Sequence, residues 1–336
     1  MLAISTDFAI STTKKFKTPM FRVKEYEGHP SRGIISIFFK GNARHRGQVF
    51  DEFTLVCYGT LIHSEYVVVP CSCVSEPENR DTSIPTAFDH KDPGKVKTIE
   101  PYLLLITLMW YEKSIKKVDP VKDITFAKQI DLSPQCDTSF QVNVAVITLG
   151  HVLHYHKLVW VHTSDRVEMK RDLMEIAVAN AVTDRCHIFR WGSKPTALTF
   201  ANKYRIDGKQ MIQKRVVRFK SWSSCMENVC PSFVPHGVHQ GKYDLKICQN
   251  FELRGTRFCV TWEEDDLICK ITPGTPVFCY IGDFQGVVGF LHNDTMFCPK
   301  DYAGNAIMEG YDDALDLVQK YLPIHYAPNY RHGVLE

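Results

Sequence analysis

At 336 residues, with 44% hydrophobic and 23% charged residues, the chain has the composition of an ordinary soluble globular protein. It is long enough to bury a core as one large domain or two smaller ones, and its formal charge of +2 points to no particular partner. The longest apolar run, 103–111, is broken by Thr107 and is too short to span a bilayer, and no fixed-period repeat suggests a solenoid.

Residues 1–29 are polar and mixed, with Lys14, Lys15 and Lys17 close together, and read as an extension without a fold of its own. The apolar, β-branched stretch 33–40 predicts a strand, followed by G-N-A-R-H-R-G as a loop. Two strands are expected over 53–62 and 66–69, joined by H-S-E. The stretch 75–96 is rich in Pro, Asp, Glu and Asn and reads as loop; 103–111 reads as a buried strand. Residues 112–136 are charged and irregular, which predicts a surface segment. Q-V-N-V-A-V-I-T-L-G at 141–150 is a further strand, and 173–178 is another apolar run. The alternating stretch 213–219 presents Lys214, Arg218 and Lys220 on one face, with Arg215 beside them. Between Cys269 and Gly289 the pattern is a hairpin, with strands at 277–280 and 287–291 and a Gly282-Asp283 turn. Ala314, Leu315, Leu317, Val318, Tyr321 and Leu322 fall on one helical face of 311–322, with Asp312, Asp313 and Asp316 near its start. Many short strands and one helix fit any sandwich or barrel.

Four motifs and one shorter match, in order, narrow that choice. C-Y-G-T-L-I-H-S-E-Y-V-V-V-P-C-S-C-V from Cys57 resembles the histidine-bearing segment of trypsin-like serine proteases, and Cys57 and Cys73 lie sixteen apart as that family requires. The 141–150 strand is similar to the one carrying the family's aspartate. C-H-I-F-R-W-G from Cys186 resembles the opening of its second barrel, and F-C-V at 258–260 is similar to a further segment of that barrel. The 269–289 stretch resembles its active-site segment, keeping Cys269, Gly274, Pro276, Cys279 and Gly289. The resemblance covers roughly residues 30–325 and implies an all-β fold: two six-stranded antiparallel β-barrels with a C-terminal α-helix. Barrel one is then expected at about 30–165, barrel two at about 180–310, the helix at 311–322 and a tail at 326–336. Residues 112–136 become an insertion relative to the family.

The resemblance also implies disulfides Cys57–Cys73, Cys186–Cys279, Cys248–Cys259 and Cys269–Cys298. Cys71, Cys136, Cys225 and Cys230 remain, with three pairings open; proximity favours Cys225–Cys230 and hence Cys71–Cys136. Twelve cysteines, an even count, point to an oxidising compartment and a secreted protein. The N-terminus shows no apolar core of a signal peptide, so the expectation is that this segment is not visible in the chain.

The catalytic letters differ. The resemblance places Ser72 where the family has its histidine, Asn143 where it has its aspartate and Pro273 where it has its serine. Hydrolysis on that fold needs a nucleophile, an imidazole base and a carboxylate to orient the base. Ser72 is no base near neutral pH, Asn143 carries no charge, and Pro273 has neither nucleophile nor N–H. Ile271 stands at the position of the oxyanion-hole glycine, and losing one such donor costs on the order of 100- to 1000-fold in turnover. Thr272 replaces the aspartate that pairs with the activated amino terminus, and Leu267 falls at the base of the specificity pocket. The expectation is a non-catalytic homologue that binds a protein or peptide in the former substrate cleft, as a cofactor or decoy in an extracellular proteolytic pathway. The alternative is a serine endopeptidase with a rearranged site in which Ser72 draws on His63 or His292.

Other constellations are weaker. His154 and His156 share a side of a strand in H-V-L-H-Y-H, but no Asp, Glu or Cys completes a ligand set, so neither a metal nor any other cofactor is expected. Nucleotide-binding glycine motifs are absent. Lys214, Arg215, Arg218 and Lys220 offer a weak polyanion contact, against the plainer reading of a solvated strand face; nucleic acid and membrane are not expected partners.

Overall fold

Both faces of the first strands are apolar, so they need partners on two sides, and the structure supplies them. The computed structural model describes residues 33–45, 48–78, 94–108, 124–137, 142–153, 161, 185–191, 198–200, 204–206, 212–223, 257–262, 272–281, 284–292, 305–311 and 314–322. The chain begins with β1 (Ile34–His45), β2 (Gln48–His63), β3 (Tyr66–Val69), β4 (Ser75–Pro77), β5 (Val96–Thr98), β6 (Leu104–Leu108), β7 (Ile124–Leu132) and β8 (Ala145–Leu149). Six of these run in the order β1-β6-β7-β8-β3-β2, and β1 pairs back onto β2, which closes a six-stranded antiparallel barrel. Ile35, Ile37, Leu61, Val67, Leu104, Ile106, Ala145 and Ile147 fill its interior. The intervening Ile34, Phe38, Leu55, Val68, Leu105 and Val146 point outward into a second apolar cluster. That double burial is why L-L-I-T-L and A-V-I-T-L read as continuous apolar runs rather than as alternation.

The second half contributes β9 (Cys186–Trp191), β10 (Leu198–Phe200), β11 (Tyr204–Ile206), β12 (Ile212–Lys220), β13 (Arg257–Trp262), β14 (Pro276–Ile281), β15 (Phe284–His292), β16 (Asn305–Glu309) and the helix α1 (Leu315–Tyr321). The order β12-β13-β16-β15-β14-β9 forms a closed barrel around Ile188, Val217, Val260, Val277, Val288 and Met308. The β10–β11 hairpin leaves this barrel and extends the first one, pairing Leu198 with Phe53 and Thr199 with Glu52. Phe189, Phe278, Val287 and Phe290 join the outward residues of barrel one, so one apolar cluster cements the two barrels. The all-β, two-barrel architecture with a C-terminal helix is therefore the one expected from the sequence.

Local expectations need four corrections. The loop expected after Lys40 is strand as far as His45, because β1 and β2 keep their ladder to the His45–Gln48 pair. The expected loop 75–96 starts and ends in short strands, with Ser75 pairing Thr98 and Pro77 pairing Val96. The expected surface insertion 112–136 contains β7, a full barrel strand. Its ladder with β8 shifts register between Ala127 and Gln129, and a bulge breaks the period-two pattern that would have revealed it. The regular helix begins at Leu315 rather than at 311.

Helix α1 reaches back across the molecule to barrel one. Val318 is buried, Leu317, Tyr321 and Leu322 pack against the shared cluster, and the Tyr321 ring lies 4.8 Å from that of Tyr66. The Tyr321 hydroxyl donates to Asp131 Oδ2 at 2.5 Å. Desolvation first, and then the Asp131 carboxylate, push the Tyr321 phenol up to about 12. Tyr311, just ahead of the helix, is fully buried with its hydroxyl 3.5 Å from Thr60 Oγ1, and burial raises it well above the ordinary phenol range.

Candidate functional site at the barrel junction

Ser72 is presented by a turn that two disulfides hold. Strand β3 ends at Val69, and the extended backbone of Pro70 leads into a 3-10 turn over Cys71–Cys73. Two turn bonds close it, Cys73 N to Pro70 O at 3.1 Å and Val74 N to Cys71 O at 3.0 Å. Cys71 and Cys73 face the interior of barrel one, where Cys73 is joined to Cys57 and Cys71 to Cys136. Ser72 lies between them and is partly exposed.

Asn143 sits two residues before β8 and is fully buried. Its Oδ1 accepts the Ser72 backbone N–H at 2.8 Å. A donor must face that oxygen, so the NH2 group points elsewhere, and Asn143 Nδ2 is a buried atom with no hydrogen-bond partner among the described residues. The Asn143 backbone N–H donates to Glu309 Oε1 at 3.1 Å across the barrel junction. Glu309 in turn faces Arg257 Nη2 at 3.5 Å, both side chains buried. A buried charge persists when paired and hydrogen-bonded, and this carboxylate has both.

Pro273 belongs to a turn over residues 272–275. Thr275 closes it with Oγ1 at 2.6 Å from Thr272 O. The turn is tied to both barrels: Tyr58 N–H donates to Pro273 O at 2.8 Å, Gly274 N–H to Leu291 O at 3.0 Å and Leu291 N–H to Thr275 O at 2.8 Å. Gly274 has φ +79°, and a Cβ there would lie 2.1 Å from Tyr58 O and 2.8 Å from Pro70 Cδ. Only glycine meets both demands at once. Ser72 and Asn143 are in direct contact, and because Pro70 lies two residues ahead of Ser72, the Pro273 turn abuts the segment that carries Ser72.

His63 is not part of this group. It pairs with Tyr66 at the opposite end of β3, which at about 3.3 Å per residue sets it more than 10 Å along the strand from the 71–73 turn. Its Nδ1 takes the Glu65 N–H at 3.3 Å and lies 3.4 Å from Ser64 Oγ. The expected alternative dyad of Ser72 with His63 is thereby corrected. His292 lies on β15, and its side chain is outside the described residues.

Ile271, Leu267, His154, His156, Cys225, Cys230, Cys248, Cys269, Cys298 and the 1–29 extension also lie outside the described residues. A third disulfide joins Cys186 on β9 to Cys279 on β14, and Cys259 is disulfide-bonded as well. Among the described residues no group of three His, Cys, Asp or Glu side chains is placed to hold a metal ion. No described helix is long and apolar enough to cross a membrane.

Sequence reasoning passed over Glu309 and Arg257. The available signal was a single acidic residue in the apolar run A-I-M-E-G-Y, which is costly inside a barrel unless it has a partner.

The two closed barrels and C-terminal helix define the class of protein, a two-barrel antiparallel β fold. No family model matches the chain, and no curated protein matches it. Among solved structures, kallikrein-related peptidase 10 aligns with 88% of this chain and 96% of its own length, at 11% identity and a TM-score of 0.44.

Proposed function

We propose that the protein is a non-catalytic homologue of trypsin-like serine proteases that acts by binding a protein or peptide, as a cofactor or decoy in an extracellular proteolytic pathway. The observation that carries this reading is the contact of Asn143 Oδ1 with the Ser72 N–H. Two separate motifs assigned these residues to the aspartate and histidine positions, and two such positions must be neighbours. The side chains at those two positions are a hydroxyl and a neutral amide; neither can act as the imidazole base or as the carboxylate that orients it, and the nearby Glu309 carboxylate is taken up by the Asn143 backbone N–H and Arg257. Pro273, at the serine position, offers only a carbonyl, already engaged by Tyr58. The turn around it is tied from both sides, and under this proposal the bound peptide lies against that fixed junction. The disulfides Cys57–Cys73, Cys71–Cys136 and Cys186–Cys279 support secretion. Lys214, Arg215 and Arg218, partly buried on β12, and exposed Lys220 make a secondary contact for a polyanion under the same proposal.

An active-site-directed fluorophosphonate tests the reading. The protein is expected to stay unlabelled at concentrations that label trypsin fully. Stoichiometric labelling of one serine overturns the non-catalytic reading in favour of a rearranged endopeptidase site.

A further inference from the structure

The turn that carries Ser72 is fastened twice, and the two fastenings are not equal. Cys57 and Cys73 are 1% and 9% exposed, Cys186 and Cys279 both 0%. Cys71 is also fully buried, but its partner Cys136 is partly exposed at the end of a short turn after β7. That turn is tied by Cys136 N to Ser133 O at 2.9 Å, Ser133 N to Val144 O at 3.1 Å and Gln135 N to Ser133 Oγ at 3.4 Å, with an isolated bridge from Lys95 to the adjacent Asp137. Exchange requires a thiolate to reach one sulfur of the pair, so access decides which bond opens first. Cys71 is the residue immediately before Ser72, and Val144 immediately follows Asn143, so this one bond spans both sides of the Ser72–Asn143 contact.

We propose that Cys71–Cys136 is a redox-sensitive clip: a dithiol reductant opens it ahead of Cys57–Cys73 and Cys186–Cys279, and its opening loosens the Ser72–Asn143 contact. A reductant thiolate attacks Cys136 Sγ and forms a mixed disulfide, while Cys71 leaves as a thiolate and takes a proton from water. The second thiol of the reductant then attacks its own sulfur in the mixed disulfide, releasing Cys136. Two electrons pass to the protein, and the reductant ends as its cyclic disulfide. The buried Cys57–Cys73 bond stays closed and keeps barrel one together. The clip does not depend on what the junction binds.

The test uses the intact oxidised chain and graded dithiothreitol, with iodoacetamide quenching, peptide mapping and hydrogen exchange on the same samples. Cys71 and Cys136 are expected to be alkylated about tenfold faster than the other two pairs, as their access implies. The peptide carrying the Ser72 amide should exchange about tenfold faster once they are, while peptides of β14 and β15 stay unchanged. The Cys71→Ala/Cys136→Ala variant should show the fast exchange without reductant and no further step. Opening of Cys57–Cys73 or Cys186–Cys279 first or in the same step overturns the proposal. So does opening of Cys71–Cys136 without a change at Ser72. If the double variant does not fold, the titration of the native chain decides alone.

Discussion

Replacing Asn143 by Asp puts a second carboxylate beside Glu309. The Glu309 carboxylate is already bound to the backbone N–H of residue 143 at 3.1 Å, and both groups are buried. For carboxylates roughly 5 to 6 Å apart at an effective dielectric of roughly 20, the repulsion is about 3 kcal/mol. The nearby Arg257 guanidinium and a charge-assisted bond to the Ser72 N–H offset part of it, leaving a net loss of about 1–3 kcal/mol at pH 7.5. The sign with pH follows from repulsion between like charges. It raises the pKa of the introduced carboxyl in the folded state above its unfolded value of about 3.9. The loss is therefore complete above the folded pKa and disappears as pH falls below about 4. Urea unfolding of wild type and Asn143→Asp at pH 7.5 and pH 4.5 measures this, with a larger difference expected at pH 7.5. The double variant Asn143→Asp/Glu309→Gln should recover most of the loss, whereas Asn143→Ala should cost about the same at both values. An Asn143→Asp protein as stable as wild type at pH 7.5 refutes the reasoning. The same repulsion opposes restoring a catalytic aspartate, so Ser72→His, Asn143→Asp and Pro273→Ser together are expected to give no peptidase activity.

Gly274→Ala should destabilise the fold by about 2–4 kcal/mol, from positive φ and from a Cβ driven onto Tyr58 O, and chemical denaturation reads this directly. A loss within about 0.5 kcal/mol would mean the 272–275 turn can move away from Tyr58. Tyr321→Phe removes the hydrogen bond to Asp131 and should cost about 1 kcal/mol near neutral pH. Because the Tyr321 phenol is raised to about 12, its stabilisation is present below pH 10 and declines as pH rises through about 12. The variant should lack that part of the alkaline decline, seen in denaturation midpoints between pH 9 and the highest pH the fold tolerates.

The elements most legible in the sequence were those whose partners are close along the chain. The hairpins at 53–69 and 277–291 carry turn residues between β-rich runs, and they formed as β2–β3 and β14–β15. Strand β7 escaped because its bulge displaces Ala127 from the alternation, and Phe126 is left exposed on a strand that otherwise buries Ile124 and Ile130. Strands β10 and β11 escaped because three residues each carry too little pattern, and their place was set by the pairing of β10 onto β2, about 145 positions away by number, with β11 added beside β10. For the candidate site, Ser72, Asn143 and Pro273 were each singled out from local motifs, and the structure adds the contact between Ser72 and Asn143.

What the sequence determined alone was which residue types stand at the junction and that two β-rich halves with matched cysteines would form. Turn chemistry, cysteine spacing and apolar runs are local properties, and they survive in a string of letters. What only the tertiary structure decided was how those residues are held. Asn143 meets Ser72 at a separation of 71 residues and Glu309 at 166, and Glu309 meets Arg257 on the neighbouring strand of the second barrel. No local pattern encodes such contacts, because a buried polar group takes whichever partner the closing of the barrels brings within reach. At this junction the closing brought a carboxylate to the backbone of Asn143, and the negative charge of the site resides on Glu309.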